Sequence, residues 1–204
     1  MKYLLHFFMP AVMLAGCHNR TKNYRTYSEL YATDTLVLNR PQVTAESMII
    51  PGKSAGLTNI GENAARVNER LGRPDSGDAA MGKAISIWYA GHTEGDDLIA
   101  VYTERNMGID DTSRVKMIRV TSPGFTTAEG IHTGRNIAGV RQQYNIMPQA
   151  TYTAHGHRYT IFSAKGISFE VNADSVLTAI IVHEVTRPAN SGYIPFHPNA
   201  KNLR

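Results

Sequence analysis

The feature that most constrains the fold is a short stretch written twice. Residues 59–75 read NIGENAARVNERLGRPD, and residues 131–148 read IHTGRNIAGVRQQYNIMP. Aligning Gly61 with Gly134 places Asn63 on Asn136, Val67 on Val140 and Leu71 on Tyr144. Ala64, Val67 and Leu71 stand at i, i+3 and i+7, as do Ile137, Val140 and Tyr144. Each copy therefore predicts a short helix with one apolar stripe. The asparagine ahead of each stripe has a side-chain oxygen that can cap the first turn. Gly72 and Asn145 tolerate the left-handed conformation that ends helices, and Pro74 and Pro148 follow. Such a helix is marginal alone in water and needs a surface on which to lay its stripe.

That surface is expected from strands. Three strand-like runs follow each helix: 84–90, 98–104 and 114–121, then 157–163, 166–172 and 176–184. Ile85, Ile87 and Tyr89 alternate with Ser86 and Trp88, and Ile167, Phe169 and Val171 alternate with Ser168 and Glu170, as in strands with one buried face. Turn-forming stretches such as GHTEGDD and AKG separate the runs. The expected fold class is α+β: two tandem helix-plus-three-strand antiparallel units, over residues 58–121 and 122–186.

The flanks read differently. Residues 1–17, MKYLLHFFMPAVMLAGC, place one positive charge ahead of an apolar run too short to span a bilayer. Leu14-Ala15-Gly16-Cys17 resembles the lipobox of bacterial lipoproteins, which implies lipidation of Cys17, the chain's one cysteine. An acylated Cys17 would leave no thiol for a disulfide or a cysteine nucleophile, and an exported domain would rest on its apolar core. Residues 18–57 are polar and interrupted by Pro41, Pro51, Gly52 and Gly56, so they are expected to form a tether. Residues 187–204 carry three prolines and are expected to form an extended tail. Net charge is +4, with Lys and Arg scattered rather than clustered. Together with the export signal, this argues against nucleic acid as a partner.

Gly61, Val67, Leu71-Gly72, Pro74, Trp88-Tyr89 and the run 115–120 together resemble the small outer-membrane assembly lipoproteins of the SmpA/OmlA type. They are also similar to the β-lactamase-inhibitor-protein-like fold. The second copy departs from that pattern, with Tyr144-Asn145 in place of Leu-Gly. The resemblance implies a non-enzymatic, periplasmic protein-binding module without a cofactor, and its partner would be another envelope protein. His18 after Cys17, where an aspartate would suggest inner-membrane retention, implies the outer membrane.

Candidate chemistry is sparse. Trp88 and Tyr102 are the candidate partner-binding residues, because Trp and Tyr are frequent interface anchors. If Ile85, Ile87 and Tyr89 face the helix, Trp88 faces the other side of the sheet, either open or in a seam between the units. A Trp exposed on an exported monomer is a liability, which favours the seam. His155 and His157, with His132 and His183, suggest a weak metal site, but a closed zinc site needs about four ligands. No Gly-x-Ser-x-Gly elbow occurs. Asp96-Asp97 and Asp110-Asp111 read as solvated turn residues. The expected function is a lipid-anchored binding module, possible roles being envelope assembly or inhibition. A metal-binding or hydrolytic protein using the His155/His157 region is the alternative.

Overall fold

The computed structural model describes residues 44–193 and 195–203. The lipobox, Cys17 and the first part of the expected tether lie outside the described residues. Two short α-helices are present among the described residues: α1 (Ala64–Leu71) and α2 (Ile137–Gln143). Asn63 and Asn136 cap them, each side chain accepting from the N–H two residues on at 2.9 Å. Val67 and Val140 are fully buried beneath the helices.

Apart from a short 3-10 turn at Ala90–His92, everything else regular among the described residues is strand. A small sheet joins β1 (Met48–Ile50), β2 (Ser54–Ala55), β3 (Thr58–Asn59) and β8 (Thr126–Thr127), with β8 parallel to β1. The large sheet contains β4 (Ser76–Ala80), β5 (Lys83–Tyr89), β6 (Leu98–Asn106), β7 (Asp110–Val120), β9 (Met147–Ala154), β10 (His157–Ala164), β11 (Ile167–Asn172), β12 (Leu177–His183) and β13 (Lys201–Asn202). Its nine strands are all antiparallel, in the order β13-β9-β10-β11-β12-β7-β6-β5-β4.

Two tandem helix-plus-three-strand units are therefore not what forms. The fold is mostly β: one continuous nine-stranded sheet, a second small sheet, and two short helices among the described residues. The join is made by β12 against β7, where Ile180 pairs with Val120 and Val182 with Ile118. These four residues are fully buried, so the middle of the sheet is core rather than a boundary. Two strands of the large sheet escape a periodicity reading for physical reasons. β4, SGDAA, carries small and polar side chains and no apolar alternation. β9 contains Pro148, which reads as a helix stop but pairs with Phe162 at a register shift, a place where a strand tolerates proline.

The segment expected to be a tether also folds in its described part. Ile49, Ser54 and Ala55 are buried in the small sheet. Gly52 donates its N–H to Gly166 O at 2.9 Å, and a Cβ on Gly166 would sit 2.6 Å from Gly52 N, so only glycine allows this approach. The expected tail folds as well. Residues 187–193 and 195–203 run back across the large sheet as a strap, with Ala189 buried and β13 paired to β9.

The large sheet is buried on both faces. One face, with Val101, Ile118, Phe169, Ile180 and Trp88, packs against α1, α2 and the small sheet. The other, with Ile85, Tyr102, Met117, Tyr152, Ile161 and Ile181, packs against Ala189, Phe196 and Ala200 of the strap. Full burial of an aliphatic or Phe side chain is worth about 1.5–3 kcal/mol, so both layers contribute.

Candidate functional site

The strap face holds the densest polar chemistry. Glu170 on β11 is fully buried. Arg119 on β7 grips it with both ends of its guanidinium, Nε to Oε1 at 2.9 Å and an Nη to Oε2 at 2.8 Å. Tyr152 Oη on β9 donates to Oε2 at 2.8 Å, and His197 Nε2 in the strap lies 2.7 Å from Oε1. The His197 ring stacks on Tyr152 at 3.6 Å between centroids. Burial alone would raise the Glu170 carboxyl, but Arg119 and the hydrogen bonds from His197 and Arg119 hold it well below the usual carboxylate range. Every acceptor position is used and the group is sealed from solvent, so the network fastens the strap rather than serving as an acid or base.

A second network fastens the strap's start. Arg187 forms a bidentate pair with Glu104 at 3.0 and 2.8 Å, and Glu184 bridges Arg187 and Lys116. Burial and the hydrogen bond to Glu104 push the Tyr102 phenol up to about 12.

These placements correct the candidate residues. Trp88 does not offer itself to a partner: it is buried on the helix face and donates Nε1–H to Gly72 O at 3.0 Å. It shares that face with Val67, whereas Ile85 and Ile87 face the strap. Alternation fixes which residues share a side, but not which side receives the helix. Tyr102 is fully buried, donating to Glu104 at 2.7 Å and accepting from Tyr193 N–H at 3.0 Å. His155 and His157 flank the exposed β9–β10 turn, and His155 sits in it with φ at +49°. His132 and His183 lie elsewhere, on Thr133 O and on Ser168, and no cluster of three metal-ligating residues occurs among the described residues. Asp110 is paired with Arg114 rather than free.

Ser168 Oγ lies 3.0 Å from His183 Nε2, a serine–histidine contact. Both residues are buried, and Ser168 continues to Ser163 and Gln149, so this is an internal ladder without access for a substrate. Burial pushes the His183 imidazole down, with the Glu184 carbonyl partly offsetting it.

Accessible features gather at one end and edge of the large sheet. β4 pairs only with β5 among the described residues, and Ser76 to Ala79 are exposed. The β4–β5 turn, Met81-Gly82, lies beside the β6–β7 turn, since a Cβ on Gly82 would meet Met107 at 3.1 Å. Met81 is 64 % exposed, Met107 54 %, Ile109 82 %, and Tyr193 of the strap 60 %. Tyr193 Oη contacts Met81 Sδ at 3.2 Å, and Lys83 Nζ lies 5.6 Å from the Tyr193 ring centre. An open polar cleft of about 320 Å³ lies at this end, lined among others by Lys83, Arg105, Arg114, Lys116, Glu104 and Asp110.

No known protein-family model matches the chain, and no curated protein does. Solved structures do match. One is described as a cysteine-rich secretory protein from Staphylococcus aureus, with 12 % identity, a TM-score of 0.45, and coverage of 76 % of this chain and 54 % of that one. Another is an extracellular protein containing an SCP domain from Bacillus anthracis, with 9 % identity, a TM-score of 0.40, and coverage of 61 % and 44 %. The chain thus spans about half the length of these structures. The one continuous nine-stranded sheet, in place of two tandem helix-plus-three-strand units, overturns the resemblance to the SmpA/OmlA type and to the β-lactamase-inhibitor-protein-like fold.

Proposed function

We propose that this chain is an exported envelope protein, lipid-anchored at Cys17, that binds an extended segment of another envelope protein along the β4 edge. The observation that carries the binding mode is the edge itself. A sheet edge presents alternate backbone N–H and C=O groups as a template for a further strand. Natural edges are usually guarded by lysine, proline or a covering element. β4 has small side chains at four of its five positions and one charge, Asp78, so a second backbone can approach closely. The lipobox-like Leu14 to Cys17 supports the anchoring.

Ala79→Pro tests this reading. The Ala79 N–H donates to the Asp78 carboxylate at 2.8 Å, so proline there removes no donor to another backbone group. A photo-crosslinker placed at Ser76, exposed on β4, should give a discrete adduct with a protein in native membranes. Ala79→Pro should abolish that adduct while shifting unfolding free energy by less than about 1 kcal/mol. An adduct equally strong in the proline variant, or no adduct, overturns strand addition at this edge.

A further inference from the structure

We propose that the end of the sheet formed by the β4–β5 turn, the β6–β7 turn and Tyr193 is a membrane-contact surface that dips into the headgroup layer of a phospholipid bilayer. The inference needs only that the chain reaches a lipid surface, and it stands apart from what the β4 edge binds.

The side chains at the tips are the wrong ones for turns in water. Met81 and Gly82 both have positive φ, +51° and +75°. That two-residue turn favours Asn, Asp or Gly at its first position, where a Cβ is strained. Met81 occupies it and still projects into solvent. The neighbouring turn is Met107-Gly108-Ile109, and Ile109 is the most exposed large apolar residue described. Two adjacent turns thus present three flexible or branched apolar side chains, and Tyr193 stands against them. Tyr is suited to a membrane–water boundary because its ring is apolar and its hydroxyl wet.

The charges are set back from the tips. Lys83, Arg105, Arg114 and Lys116 line the cleft with Glu104 and Asp110, leaving two net positive charges in the lining. Asp111, exposed beside Ile109, offsets one of them. Apolar tips backed by a mildly cationic, open cleft match a bilayer, with acyl–headgroup boundary outermost and phosphates behind it. A protein partner of comparable affinity would more often meet a concave pocket with a buried anchor, and these side chains protrude instead. The stretch from Cys17 to Thr44 spans at most on the order of 90 Å when extended, so an anchored chain could lay this end on the same bilayer.

The test uses the full chain on protein-free vesicles of phosphatidylcholine and phosphatidylglycerol. Met107→Cys and Ile109→Cys carry an environment-sensitive fluorophore. Asp174→Cys is the control, because the β12–β7 register puts its turn at the opposite end of the sheet. A parallel set carries Cys17→Ser to remove labelling there. The expected result is a blue shift at 107 and 109, with quenching by lipids bearing a nitroxide just below the headgroup, and neither effect at 174. Met81→Ser together with Ile109→Ser should abolish the quenching of the 107 label without changing the thermal midpoint. Labels at 107 and 109 that stay as wet as the one at 174 overturn the proposal. Shielding of the tips only when membrane proteins are present also overturns it, and assigns the surface to a protein partner. Crosslinking from Ser76 is read separately, so either reading can fail without the other.

Discussion

The two faces of the large sheet are closed by different physics. The helix face is sealed by Val67, Val140, Phe169, Ile180 and Trp88, packed with the small sheet, and the polar residues buried beside them, Ser54, Thr58, Thr127 and Thr133, are uncharged hydroxyls. The strap face is closed by residues 187–193 and 195–203, where a two-residue strand is the only regular structure described. It is held by ion pairs at Glu104 and Glu170 as much as by Ala189 and Phe196. Apolar packing is non-directional and tolerates drift, whereas a buried carboxylate has cost if any partner leaves. The difference explains how a segment with three prolines takes one path: the polar fasteners select the path, and the apolar contacts then stabilise it.

The largest break in this comparison should come from Glu170→Ala. It leaves Arg119 without its counterion in a sealed layer and should cost about 3–5 kcal/mol in denaturant unfolding. A loss below about 1 kcal/mol would show that water reaches the network and that the strap face is not sealed.

A smaller, local effect is expected from His197→Ala. It removes the strap's contact to Glu170 while Arg119 and Tyr152 remain, and should cost about 1–2 kcal/mol. Amide exchange should quicken in residues 195–203 and along β9, while β11 and β12 keep their protection. Uniform acceleration through both faces would mean that the strap and the core open together.

Acid should act most gently, through His183 and Glu170, which share the strap side of the sheet. His183 is pushed below its ordinary value of 6.5 by burial, so the unfolded chain binds the proton more readily. Stability should begin to fall as pH drops below 6.5, and level once the folded-state value is passed. The Glu170 carboxyl is held below its ordinary 4.5, so its contribution is complete above that pH and declines as the folded-state value is approached. His183→Gln should remove the first slope and leave the second. A first slope that persists in that variant would assign it to another group.

Much of the local structure was legible in the sequence. The helices are recoverable from stripe and cap because a 3.6-residue period and an asparagine oxygen act within one turn. β5 and β11 announce themselves by alternation, and β6, β7, β10 and β12 as strand-like runs between turn signals. The strap and the small sheet do not, since MII, SA and TT are too short to show a period. Of the accessible surface, Met81 and Ile109 could have been noticed as apolar residues in turn positions. The Glu170 network carried one signal: Glu170 in ISFEVN and Arg119 in KMIRV are charges inside apolar strands. What joins them, with Tyr152 and His197, is pairing across strands far apart in the chain.

By itself the sequence determined where the chain turns, where it coils and which side chains share a side of each strand, because those depend on bonds and neighbours a few residues away. Only the tertiary structure decided that the strands make one sheet, which side takes the helices, and that Trp88 and Tyr102 are sealed inside. Those outcomes depend on contacts between segments far apart in the chain, such as Tyr193 on Tyr102 and Gly52 on Gly166. Local energies leave them degenerate, and burial of both faces at once removes the degeneracy.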